Sequence, residues 1–162
     1  MFKIGNYVVN TNNGICEISD ITTMKMSGTE KEYYVLVPIE EKTAKVYLPV
    51  DIASNRVRLV MSKEDALALI KDIKGVDEAY VENEKERERI YKEAIASHDP
   101  KRLISIIKTL YLRKKERMEA GKKNTAVDER YFRLAESHLH NELAFALEIS
   151  KDEVMDMIVA NL

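Results

Sequence analysis

The sequence predicts an α+β fold, a small N-terminal β-barrel followed by an all-α domain of about five helices, and three observations carry that expectation. Short runs rich in β-branched and aromatic residues, separated by turn residues, fill the chain from Tyr7 to about Val60. From Ser62 onward, apolar residues recur at helical spacing behind helix-capping signals. The change falls at residues 60–62 with no low-complexity linker and no internal repeat, which divides the chain into 1–60 and 61–162.

The β half begins with "VVNTNNGICEI" (8–18), where Asn13-Gly14 lies between two apolar runs. Asn-Gly is a strong hairpin signal because a type I′ turn needs positive φ at both central residues. The runs "EYYVLVPI" and "TAKVYLPV" flank Glu40-Glu41-Lys42 and form a further hairpin, while "MKMSGTEK" with Gly28 makes another connection. Strands are expected near 6–10, 15–21, 31–39, 43–50 and 56–60. Five short antiparallel strands in so few residues bury one face only by curling, which gives an SH3-like or Tudor-like barrel. Such a barrel is a docking module more often than an enzyme.

In the helical half, "SKED" offers Ser62 as N-cap with Asp65 at N3, and Ala66, Leu69, Ile70 and Ile73 follow until Gly75 stops the run. Residues 82–97 are charge-dense and helix-favouring. "SHDP" ends that run and starts the next, with Asp99 as N-cap and Pro100 at the first helical position. Leu103, Ile106, Ile107, Leu110 and Tyr111 form an apolar stripe, with Lys101, Lys108 and Lys115 on the opposite face. Thr125 with Asp128 opens a helix expected to turn Val127, Tyr131, Leu134 and Phe145 inward. Ser150 with Glu153 opens the last, through Val154, Met157 and Ile158.

With 162 residues, 45% hydrophobic and 33% charged, the chain reads as globular rather than disordered. No apolar run reaches the roughly 18 residues of a membrane span, and Met1-Phe2-Lys3-Ile4 does not open a signal peptide, so a cytoplasmic protein without a membrane partner is expected. Cys16 is the only cysteine, which excludes an intrachain disulfide and a cysteine-based zinc site; it reads as a small buried hydrophobe. Net charge is −2, yet "KRLISIIKTLYLRKKERMEAGKK" (101–123) holds nine Lys/Arg against Glu116 and Glu119. That asymmetry makes a basic face on a nearly neutral protein, suited to phosphate contact through Lys108, Lys114, Lys115, Lys122 and Lys123.

No catalytic site assembles in the sequence, and no cofactor is implied. The best candidate is "ESHLHNE", but His138 and His140 are two apart, about 200° around a helix, and do not readily share an ion. His138 reads as a packed, hydrogen-bonded side chain. There is no Gly-rich phosphate loop, nucleophile elbow or Cys/His constellation.

Taken in order, "MFKIGNYVVNTNNGICEISDI", "KEYYVLVPI", "VYLPVD" and "RVRLVMSKEDALALI", then "IASHDPKRLISIIKTLYLRKKER" and "AESHLHNELAFAL", resemble the CarD/CdnL-like bacterial transcription regulators over nearly the whole chain. The resemblance implies a Tudor-like module that docks on the RNA polymerase β subunit and a helical domain that contacts promoter DNA at the upstream edge of the bubble, stabilising the open complex. It places polymerase contacts at Met24, Lys45, Val46 and Tyr47, and DNA contacts at Arg87, Arg89, Lys92, Arg130 and Arg133. An exposed strand edge accepts a partner strand by main-chain hydrogen bonding, and equally a second copy of itself. The chain departs from the family pattern in the first hairpin, where Asn10-Thr11 and Asn13-Gly14 replace Tyr-Pro and His-Gly. It departs again in having no tryptophan: the family's minor-groove wedge falls near Asn83-Glu84, where a carboxylate repels phosphate. Tyr80 substitutes only if its loop moves. A polymerase-docking adaptor whose helices bind protein is the alternative.

Overall fold

The computed structural model describes residues 1–162, which form two compact units, Met1–Val60 and Met61–Leu162. The first holds β1 (Tyr7–Asn10), β2 (Gly14–Met26), β3 (Thr29–Pro38), β4 (Val46–Pro49) and β5 (Val57–Leu59). All pairings are antiparallel, in the order β4-β3-β2-β1-β5. Alternation sends Val8, Cys16, Ile18, Tyr34, Leu36, Leu48 and Val57 into one core, and a 3-10 turn at Val50–Asn55 joins edge strand β4 to edge strand β5 while adding Ala53.

The two tight connections differ from the sequence expectation. Positive φ falls on Gly14 but not on Asn13, so β1 and β2 join through Thr11–Asn13 with glycine in the left-handed position, the geometry of a three-residue loop. The type I′ pattern appears instead at Ser27-Gly28, where both residues have positive φ and Met26 pairs with Thr29. Strand β2 therefore runs to Met26, five residues beyond the expected end at 21. A register shift between Ile18 and Asp20 bends it.

The second unit holds α1 (Lys63–Asp72), α2 (Arg87–Ala96), α3 (Pro100–Glu119), α4 (Ala126–Leu147) and α5 (Lys151–Val159). Each N-cap read in the sequence forms, whereas α1 ends at Asp72 and passes into a 3-10 turn at Ile73–Gly75, with Gly75 outside the left-handed region. Ser62, Asp99, Thr125 and Ser150 accept from the amides of Asp65, Lys101, Asp128 and Glu153, and Ser150 with Glu153 completes a reciprocal capping box. Leu103, Ile106, Ile107 and Leu110 are buried, whereas Tyr111 leaves the expected stripe for solvent. On α4 the inward face is Tyr131, Ala135, Leu139, Leu143 and Leu147, with Val127 and Leu134 exposed and Phe145 only half-buried. The stripe is rotated because Asp128 and Glu142 lie on it, each recruited by a donor distant in sequence.

Candidate functional site

Strand β4 is an end strand, paired to β3 and open on its other side. Lys45 precedes it and is exposed; Val46, opposite Leu36, packs on the barrel core; Tyr47, opposite Val35, turns to the other face and is 47% exposed. These three are adjacent. Met24 lies opposite Lys31 on β2, on the face shared by Lys31, Tyr33, Val35 and Tyr47. It sits four positions along β3 from the Tyr47 pair, about 14 Å at ~3.4 Å per residue. Met26 shares that face two residues on, where the Tyr33 hydroxyl donates to its sulfur at 3.4 Å. The period-2 spacing of Met24 and Met26 is the sequence signal for it.

The arginines placed by family position are engaged with carboxylates. Arg87 Nε meets Glu84 at 2.9 Å and its Nη1 meets the Tyr91 hydroxyl at 3.1 Å. Arg89 pairs with Glu86 and with Glu93, Lys92 with Glu88 at 3.6 Å, Arg130 with Glu88 at 3.1 Å, and Arg133 with Glu129 at 2.6 Å. Glu84 is a hub: Arg113 Nη1 reaches the same oxygen as Arg87 at 3.0 Å. Hydrogen bonds from Arg113 and then Arg87 hold its carboxyl down at about pKa 2. Tyr91 and Tyr131 stack obliquely beneath, ring centroids 5.6 Å apart, and the Tyr131 hydroxyl donates to Glu88 at 2.9 Å. The linkages Glu84–Arg113 and Glu88–Arg130 span tens of residues and leave no local signal.

The candidates drawn from charge alone divide. Lys108 Nζ donates to the carbonyls of Lys74 and Val76 at 3.2 and 2.7 Å, fastening the chain that leaves α1. Lys114, Lys115, Lys122 and Lys123 are exposed, and their ammonium groups have neither ion pair nor hydrogen bond. They cluster where α3 ends and the turn to α4 begins. Tyr80 is exposed, and its neighbour Ala79 donates its amide to Thr109 at 2.8 Å.

Of the histidines, it is His140 that is buried, its Nε2 4.0 Å from Glu136, while His138 is half-buried. Burial pushes the pKa of both below the ordinary range, with Lys151 adding to the effect at His140. Glu142, also buried, accepts the Met61 amide at 3.0 Å. No group of three or more His, Cys, Asp or Glu is placed to hold a metal ion. Burial raises the Cys16 thiol to a pKa of about 11, which leaves it unreactive. No helix is long and apolar enough to cross a membrane.

Comparison with known proteins agrees with this architecture unit by unit. The CarD-like/TRCF RID domain model matches residues 2–61, and the CarD C-terminal domain model matches residues 68–159. No curated protein matches the chain.

Proposed function

Because the chain belongs to the CarD-like family of RNA polymerase-interacting transcription regulators, we propose that residues 1–60 dock on the β subunit of a bacterial RNA polymerase. Residues 61–162 contact upstream promoter DNA and modulate open-complex stability. The observation that carries the docking step is the open edge of β4, with Lys45, Val46 and Tyr47 along it and Met24 on the Tyr47 face. A bare edge gives affinity through main-chain hydrogen bonds and specificity through alternate side chains. The reading needs no catalytic step, no cofactor and no membrane, and places the protein on the nucleoid in the cytoplasm.

DNA contact rests on the unpaired cations, above all Lys122 and Lys123 in the turn, because a lysine already neutralised by a carboxylate gains little from phosphate. Arg87, Arg89, Lys92, Arg130 and Arg133 would have to exchange their present partners. The contact is therefore weak and independent of sequence.

A second reading keeps the docking edge but gives the helices a protein partner. It is favoured by Glu84, a carboxylate held ionised at the position where the family places its wedge. Binding of the purified chain to its own polymerase holoenzyme, with and without a promoter fragment at two salt concentrations, separates the readings. Tighter, salt-sensitive binding with promoter supports DNA contact; equal binding supports the adaptor; no binding overturns the docking itself.

A further inference from the structure

Helices α3 and α4 bury Leu103, Ile106, Ile107 and Leu110 against Tyr131, Ala135, Leu139 and Leu143, and the pair is complete without Tyr111 or Met118. Those two residues stand one heptad apart on α3 and are 41% and 62% exposed. With half-buried Phe132 of α4 they line a groove of about 530 Å³ whose remaining walls are Lys114, Lys115 and Glu119. An aromatic and a methionine left in water on a charge-rich helix are an unpartnered apolar surface. Neither groove lysine has a carboxylate within ion-pair distance, although Lys114 lies near enough to Glu136 to act on it through space, and Lys122 and Lys123 extend the positive charge past the helix end.

We propose that this groove docks an amphipathic helix, acidic on its polar face, supplied by a partner protein. Tyr111 and Met118 are separated by seven residues, about 10 Å at ~1.5 Å per residue. A helix laid along the groove repeats its own apolar anchors at that same interval, the i, i+3/i+4, i+7 pattern of helix-in-groove recognition. Methionine adapts its three torsions to such a guest, and the flanking ammonium groups select glutamates or aspartates beside the anchors. Duplex DNA answers the charge but not the shape, since a phosphate ladder has no apolar knob to fill a concave floor. The groove lies within the helical unit and shares Lys114 and Lys115 with the cations offered to phosphate, while its apolar anchors Tyr111 and Met118 belong to the peptide alone.

The test uses the full chain and a fluorescein-labelled synthetic peptide of about five helical turns. The peptide carries leucines at the anchor positions and glutamates elsewhere; a control peptide has every glutamate replaced by lysine. By fluorescence anisotropy the acidic peptide binds and the basic one does not. Met118→Ser and the double variant Lys114→Gln/Lys115→Gln each weaken binding about tenfold or more. Both variants alter exposed side chains, and circular dichroism verifies that they stay folded. Failure of the acidic peptide to bind, or equal binding to the wild-type chain and both variants, overturns the proposal. So does a short DNA duplex that displaces the peptide and itself depends on Met118, which would make the groove a nucleic-acid surface.

Discussion

Arg113 of α3 donates through Nε to Asp128 of α4 at 2.6 Å, and Asp128, in the first turn of its helix, is only 4% exposed. The other arm of the same guanidinium reaches Glu84 at 3.0 Å, ahead of α2. One planar fork thus joins three segments of the helical unit, a task a lysine point charge performs poorly. The Asp128 carboxylate also lies at the positive end of the α4 dipole, and its amide is held by Thr125 at 3.1 Å.

Removing one partner of this pair strands a buried charge. Arg113→Met is expected to destabilise the helical unit by roughly 3–5 kcal/mol, because the Asp128 carboxylate loses its counter-ion. The double variant Arg113→Met/Asp128→Leu restores most of that loss, since an apolar pair of similar volume has no desolvation to offset. Urea unfolding of the full chain followed by circular dichroism measures both. If the double variant is as unstable as the single one, Arg113 acts by packing rather than by neutralising Asp128.

Acid should weaken the protein in two stages. Burial holds His138 and His140 below their ordinary pKa, so the unfolded chain takes up protons first, near pH 6.5. Their contribution is whole above that pH and is lost as pH falls through it. Glu136 runs the other way: burial raises its pKa, so it favours the folded chain as pH drops toward the usual carboxylate range. Below pH 4.5 the depressed Glu84 carboxyl loses its contribution as pH falls toward 2. Its exposure to solvent keeps that second stage small. Denaturation midpoints between pH 8 and 3 check the order: His138→Gln/His140→Gln flattens the first stage and Glu84→Gln the second.

The parts of the fold legible in the sequence are those set by near neighbours. Ser62 with Asp65, Asp99 with Pro100, Thr125 with Asp128 and Ser150 with Glu153 cap their helices because a side chain and an amide two or three residues apart decide the matter. The inward face of α4 departs from the apolar spacing: apolarity alone favours Leu134 over Ala135, whereas Arg113 and the Met61 amide draw Asp128 and Glu142 inside and rotate the helix. In the same way, the Asn13-Gly14 pair predicts the tight turn, but the two-residue loop forms at Ser27-Gly28. At the candidate site, Arg133 with Glu129 and Lys92 with Glu88 are readable at helical spacing. The bonds joining Glu84 to Arg113 and Glu88 to Arg130 depend on packing between helices and left no trace in the sequence pattern.

Along β4, successive amides alternate between facing β3 and facing outward, so Val46 and Tyr47 differ in which edge they serve. Proline at the position whose amide faces outward should leave the sheet intact and abolish polymerase binding. Proline at the other removes a ladder bond and lowers stability by about 1–3 kcal/mol. Co-purification of each variant with the polymerase, beside its thermal midpoint, tells the two apart. A folded variant with the outward amide removed that still binds at wild-type affinity would place docking elsewhere than on this edge.

Salt dependence separates the free lysines from the paired arginines. Each phosphate contact contributes a slope of about −0.9 in log K against log salt, so Lys122→Gln/Lys123→Gln should reduce the slope of promoter binding by about 1.8. Arg89→Gln and Arg133→Gln should leave it nearly unchanged, because their guanidinium groups are already held by Glu86, Glu93 and Glu129 and release no phosphate-bound counterions. Measuring the polymerase–promoter complex at several salt concentrations with each variant checks this directly. A slope lost with Arg89 or Arg133 instead would mean that DNA opens those ion pairs, since an arginine contributes to the slope only after phosphate has displaced its carboxylate.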